Sequence, residues 1–211
     1  MSLTFYYSPM STAMITDVVL EELDMPCERV VIDLKKNQTH TPQYLGLNPN
    51  GKVPLLVHDG TPIWESVAIT LYLGEIFGVA RGLYPVPGPE RGAAMKWVAW
   101  ANVTLAEAVG RWMRNTSEYY PAEQHNAKAA EAATADIHQC LRILDQALTG
   151  RDFLLEGFTL ADAHVNSVID WLRFMQVDLT PYSSLNAWSQ RCAARPAYGR
   201  AMARAGAAVG A

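Results

Sequence analysis

Three short stretches of the chain combine residue types that could do chemistry. In Tyr7-Ser8-Pro9-Met10-Ser11-Thr12, hydroxyls gather where a short aromatic run gives way to a helical pattern. A hydroxyl at a helix N-terminus sits beside unpaired N–H groups and a positive dipole end, so a thiol bound there would have its anion stabilised by the dipole and by a donated O–H bond. Ser11 or Thr12 could equally act as a plain N-cap, and a capping hydroxyl can also turn towards a ligand. In Glu65-Ser66, the serine opens a helical pattern. Free N–H groups there favour a carboxylate, and a neighbouring glutamate suits an ammonium, so the pair could receive an amino-acid zwitterion or simply cap the helix. In Val53-Pro54, a proline opens a strand pattern. A trans bond would make it an ordinary strand start, whereas a cis bond would leave the Val53 main chain facing outward to pair with an extended peptide.

The elements that must position these residues follow from the pattern. Leu3–Tyr7 reads as a strand, and Ile15, Val18, Val19 and Leu23 as one face of a helix stopped by Asp24-Met25-Pro26. Residues 28–34 read as a second strand and Gln43–Leu47 as a short helix. Residues 53–58 read as a third strand that turns through Asp59-Gly60 into Pro62-Ile63-Trp64, and Glu65–Phe77 as a helix. The helix between the first two strands predicts that they are parallel, and the Asp-Gly turn predicts an antiparallel second pair. Residues 79–89 hold Gly82, Pro85, Pro87, Gly88 and Pro89 and read as a linker. From residue 90 the strand signals fade. Trp97, Trp100, Leu105 and Trp112, then Ile137–Leu148, Val165–Leu172 and Leu185–Cys192, keep helical spacing, and the Ala-rich 127–135 extends the second of these helices. The tail 201–211 reads as a fraying helix end. The expected architecture is an α+β domain over 1–78, a linker over 79–89 and an all-α bundle over 90–211.

Composition bounds the function. The 211 residues are 50% hydrophobic and 18% charged, a balance that excludes a disordered chain. A net charge of −4 without a basic stripe argues against nucleic acid. Three scattered cysteines fit a reducing cytoplasm better than a disulfide framework. The first residues lack the pattern of a signal peptide, and no apolar run is long enough for a membrane span, so a soluble cytoplasmic protein is expected. The five histidines show no ligand spacing, so no metal is expected.

The three stretches, in this order and followed by a helical bundle, resemble the glutathione S-transferase family. NPNGKVPLL resembles the family's cis-proline strand and IWESVAITLYL its Glu-Ser helix start. FTLADAHV resembles the capping box of its core helix, with Thr159 capping and Asp162 reciprocating, and LNAWSQRCAARPAY a late bundle helix. The resemblance implies a thioredoxin-like N-terminal domain and an all-helical C-terminal domain. It implies glutathione as co-substrate, held by the Val53 main chain, Pro54, Glu65 at the γ-glutamyl ammonium and Ser66 at its carboxylate. Lys52 would reach the glycyl end, and Thr39 and His40 lie where some members place polar contacts. Family members use a tyrosine, serine or cysteine near the end of the first strand. Ser11 falls where the serine-using classes place theirs, Thr12 where beta-like members carry cysteine, and Tyr7 has a Tyr-x-Pro spacing; the order of expectation is Ser11, Thr12, Tyr7. Met10 replaces the glycine common in the serine classes. Met10, Trp112, Met113 and Tyr119 would wall the site of a hydrophobic electrophile. A homodimer is implied, with Trp97 facing the partner. The competing readings are a glutathione-binding scaffold or stress protein, and a peroxidase, isomerase or dehalogenase using the same thiolate.

Overall fold

The computed structural model describes residues 2–209; Gly210 and Ala211, the end of the tail, lie outside them. β1 (Leu3–Tyr7) leads through α1 (Met14–Glu22) to β2 (Glu28–Val31), which pairs parallel with β1. β2 stops short of residue 34 because Asp33 folds its carboxylate back to accept the Lys35 and Lys36 N–H groups at 2.9 and 3.2 Å, starting a turn. α2 (Pro42–Leu47) is capped by Thr41, whose hydroxyl accepts the Tyr44 N–H. β3 (Leu55–His58) and β4 (Thr61–Trp64) form the antiparallel hairpin, and the sheet order is β2-β1-β3-β4. Asp59 and Gly60 turn with φ of 46° and 82°, the handedness that a tight hairpin needs. β3 begins at Leu55 because Pro54 offers no ladder donor.

Strand alternation divides the core. Phe5 and Tyr7 stack at 5.2 Å on the face covered by α1 and by α3 (Ser66–Leu73). Tyr6 points to the other face and meets Tyr44 of α2 edge-on. α3 ends at Leu73 and runs on as a single π turn over Gly74–Gly78. A Cβ on Gly74 would lie 2.7 Å from the Tyr84 ring, so these glycines are what lets Tyr84 bury itself beside the helix. Within the Pro/Gly-rich 79–89, Tyr84 is buried and Leu160 N–H bonds to Leu83 C=O at 2.9 Å, while the residues on either side are mostly exposed.

The second half is helical throughout. α4 (Pro89–Trp100), a π turn over Ala101–Leu105 and α5 (Ala106–Thr116) follow without interruption. α6 (Ala127–Leu148) includes the Ala-rich stretch, and α7 (Leu160–Phe174) carries the capping box of Thr159 and Asp162. α8 (Ser183–Ala193) and α9 (Pro196–Val209) complete the chain. Two expectations are corrected. Trp97 does not face outward: it is buried in the bundle core and edge-on to Trp100. The tail is not a fraying end as far as Val209; Ala201 and Ala205 are fully packed. Arg200 and Arg204 of α9 reach the carboxylates of Asp17 and Glu21 on α1, and Arg195 bridges Glu22 at 2.7 Å. These ion pairs fasten the last helix to the first domain.

Asp162 is the polar hub of the bundle. Its buried carboxylate accepts N–H groups from Leu154 (2.8 Å), Thr159 (2.9 Å) and the Trp188 indole (2.9 Å). Burial pushes its pKa up and these donors oppose the rise. Removing the carboxylate leaves these three N–H groups, and the Thr159 hydroxyl that also donates to it at 3.1 Å, without that acceptor. Asp162→Ala should therefore destabilise the fold by about 3 kcal/mol, read as a lowered urea midpoint with unchanged slope.

Candidate active site

The site forms where β1 ends and β3 and α3 begin, against the bundle. Met10, Ser11, Thr12, Lys52, Val53, Pro54, Glu65 and Ser66 all line one cavity of about 570 Å³. Three sequence stretches far apart in the chain therefore share one hollow. Its opposite wall comes from Asn102 in the π turn and from α5, α7 and α9.

Local chemistry presents the Val53 main chain. The Val53-Pro54 bond is cis. Tyr44 Oη and Asn48 Nδ2 both donate to the Lys52 carbonyl at 2.7 Å, which fixes the residue before it. Burial pushes the Tyr44 phenol up to about 12, so it stays a donor at neutral pH. Gly51 makes the turn at φ 60°, with the His40 ring 3.0 Å from where a Cβ would stand. Among the described residues, no hydrogen bond occupies the Val53 N–H or C=O. An extended peptide would complete that edge.

The other two stretches present side chains. Glu65 is exposed with φ 71°, a left-handed backbone for a non-glycine residue. It stands immediately before Ser66, the first residue of α3. Met10 takes φ 53°, the conformation that a glycine would adopt more readily, so the loop keeps its turn while the thioether covers the cavity mouth. Ser11 Oγ donates to the Ser8 carbonyl at 2.7 Å and accepts the Ala13 N–H at 3.2 Å. Thr12 is exposed to the cavity, and among the described residues its hydroxyl has no partner.

Several expected residues stand elsewhere. Tyr7 does not line the cavity; it lies under the sheet, and burial followed by the Asp17 charge raises its pKa. Thr39 is buried and bonds the His40 ring at 3.0 Å, while His40 packs over Gly51; both shape the loop without bordering the hollow. Met113 lines the cavity, but Trp112 packs against the bundle core, and Tyr119 is 89% exposed beyond the end of α5. None of the three cysteines borders the cavity, and burial pushes Cys27 up to about 11. Among the described residues no group of His, Cys, Asp and Glu could hold a metal ion, and no helix is long and apolar enough to cross a membrane.

Sequence reasoning missed the far wall. Trp171 and Phe174 stack at 5.5 Å on α7, and Tyr198, Met202 and Ala205 face them from α9. The last three follow i, i+4, i+7 spacing, a helical signal that reading the tail as a fraying end concealed. Asn102 was also missed. It is half-buried, borders the cavity and donates to Ser66 Oγ at 2.8 Å.

A mixed four-stranded sheet with flanking helices, followed by a helical bundle that closes the hollow, defines a thioredoxin-like fold joined to an all-helical C-terminal part. Comparison with known proteins fits it. Residues 1–75 match the family model "Glutathione S-transferase, N-terminal domain", and residues 111–196 match "Glutathione S-transferase, C-terminal domain". Glutathione S-transferase GstB of Escherichia coli K12 is 32% identical over 183 residues, covering 85% of this chain and 87% of that protein. Disulfide-bond oxidoreductase YfcG of the same organism is 27% identical, covering 95% and 94%. Among solved structures, the glutathione transferase URE2P8 of Phanerochaete chrysosporium superposes with a TM-score of 0.90 at 22% identity, over 100% of this chain and 97% of that one. A sphingomonad glutathione S-transferase complexed with glutathione gives 0.83 at 28% identity, over 96% and 98%. The chain belongs to the glutathione S-transferase family.

The strained Glu65 yields a direct test of site against stability. A glycine there relieves the left-handed backbone but deletes the carboxylate. Glu65→Gly should keep or raise stability, by up to about 1 kcal/mol, while weakening glutathione binding at least about tenfold. Thermal unfolding and calorimetric titration read the two effects separately.

Proposed function

We propose that the protein is a glutathione transferase that ionises the thiol of bound glutathione for attack on a hydrophobic electrophile. The observation that carries this reading is the convergence of the unpaired Val53 main chain, the Glu65-Ser66 pair and the Thr12 hydroxyl on one cavity. Glutathione would lie extended along Val53. Its γ-glutamyl ammonium would meet Glu65, its γ-glutamyl carboxylate Ser66, and its glycyl carboxylate Lys52. The GstB likeness and the glutathione-bound sphingomonad relative support the same assignment.

The sulfur would then sit at the mouth of α1. A free thiol titrates near 8.5, so only a few per cent is thiolate at pH 7. A hydroxyl that favours the anion by about 1.4 kcal/mol lowers that value by about one unit. Thr12 ranks ahead of Ser11 as that donor, because turning Ser11 to the sulfur means giving up its bond to the Ser8 carbonyl. The thiolate attacks carbon, a C–S bond forms, and the leaving group departs with its electron pair. Trp171, Phe174, Val109, Met113 and Met202 form a neutral, largely apolar wall suited to holding such an electrophile. The protein would work as a homodimer in the cytoplasm.

Retention on immobilised glutathione with turnover of chlorodinitrobenzene is the expected result. Retention without turnover would favour a binding or scaffold role; turnover of a hydroperoxide or haloalkane instead would favour the peroxidase or dehalogenase reading. Thr12→Ala should raise the thiolate pKa of bound glutathione by about one unit and lower kcat/KM at neutral pH about tenfold, with Ser11→Ala showing the smaller change. Ultraviolet thiolate absorbance against pH reads the first effect directly. Wild-type values in both variants would exclude a hydroxyl donor from this segment.

A further inference from the structure

Four side chains from both halves of the protein join into one hydrogen-bonded chain behind the cavity. Thr70 Oγ1 of α3 meets His164 Nδ1 of α7 at 2.8 Å, His164 Nε2 meets Asn102 Oδ1 at 2.7 Å, and Asn102 Nδ2 meets Ser66 Oγ at 2.8 Å. Ser66, Thr70 and His164 are buried. Asn102 stands in the π turn between α4 and α5, a local widening of the helix that recurs at functional sites.

Burial makes the direction of each proton decidable. His164 is fully buried, which pushes its pKa down to about 3 and holds the ring neutral. A neutral imidazole donates at one nitrogen and accepts at the other. Among the described residues the Thr70 hydroxyl has His164 Nδ1 as its one hydrogen-bond partner. If the ring donated to Thr70, the Thr70 proton would be buried without an acceptor, so Thr70 donates instead. The ring proton then lies on Nε2 and points to Asn102 Oδ1. That turns the Asn102 amide N–H to Ser66 Oγ, which accepts it. The Ser66 proton is left over, next to the cavity.

We propose that Thr70, His164 and Asn102 are positioning residues that hold the Ser66 hydroxyl as a donor into the cavity, poised for the ligand's carboxylate. A carboxylate only accepts, so a serine whose proton turned inward to Asn102 would present it with a lone pair instead. The chain therefore sets the sign of the contact and fixes it across the boundary between the two domains. This rests on the glutathione reading and adds to it which residues orient the contact with the γ-glutamyl carboxylate.

Two measurements test it. Nitrogen-15 NMR of the wild-type histidines, without added ligand, should show His164 as the Nε2–H tautomer, unchanged between about pH 5 and 8. An Nδ1–H tautomer, or titration in that range, overturns the chain. Calorimetry then compares glutathione with an analogue lacking only the γ-glutamyl α-carboxylate. Asn102→Ala should bind glutathione about tenfold more weakly and the analogue as well as wild type does. Asn102→Asp should be weaker still for glutathione, because its carboxylate takes the Ser66 proton for itself. The Ser66→Ala, Asn102→Ala double variant should be no weaker than Ser66→Ala alone. Equal losses for both ligands would mark Asn102 as merely structural and overturn the proposal while the glutathione reading stood. Absence of any glutathione association in the wild type would overturn both together.

Discussion

The clamp on the Lys52 carbonyl is the contact on which the site depends. Two buried donors, the Tyr44 phenol and the Asn48 amide, converge on one main-chain oxygen. They fix the backbone immediately before Val53 and leave the Val53 N–H and C=O unbonded to the described residues. An unpaired edge normally invites aggregation, and natural sheets keep such edges short or covered. Here the free edge is short and borders a cavity rather than an open surface.

The bundle is what makes the recess a site. The first domain supplies the main-chain edge, the hydroxyls and the Glu-Ser pair; α5, α7 and α9 supply the apolar wall. α9 is the most distant element in sequence from α1, yet its arginines reach the carboxylates of Asp17 and Glu21, and Asp17 is fully buried. Half-buried Arg–carboxylate pairs of this kind are more specifying than stabilising, because desolvation offsets much of their attraction. Their role is to set where Tyr198 and Met202 stand. On the other side, Asn102 and His164 tie the bundle to the first turn of α3. The two domains are thus fastened at both flanks of the cavity they share.

Much of this was legible in the sequence. The strand–helix order and the parallel and antiparallel pairings follow from periodicity and turn chemistry, because those signals are local, and the Thr159–Asp162 capping box is the one the family resemblance implied. Val53, Pro54, Glu65 and Ser66, which share the cavity, were singled out from their immediate neighbours, but a role in binding glutathione came only with the family resemblance. What was not legible is what depends on distant partners. Trp97 looked like an outward aromatic because spacing does not say which side of a helix the bundle lies on. The tail looked loose because alanine and glycine carry no polarity contrast, although Ala201 and Ala205 are the small residues that let α9 pack closely. Thr39 and His40 were placed by a loop whose closure onto Gly51 no local rule foretells.

The positions that break local rules show why the site had to be built this way. Met10 and Glu65 both hold positive φ without being glycine, and both border the cavity. Glycine would suit either backbone better, so the side chains are what the strain supports. Hydroxyl, carboxylate and thioether must be aimed at one small volume from three separate turns. Regular helix or strand geometry cannot converge three chain reversals that closely, so the chain departs from it at Met10, at Glu65 and in the π turn at Asn102, all of which border the cavity. Other left-handed residues, such as Asp24 and Asp59, only close turns between elements; at the cavity the same device aims side chains.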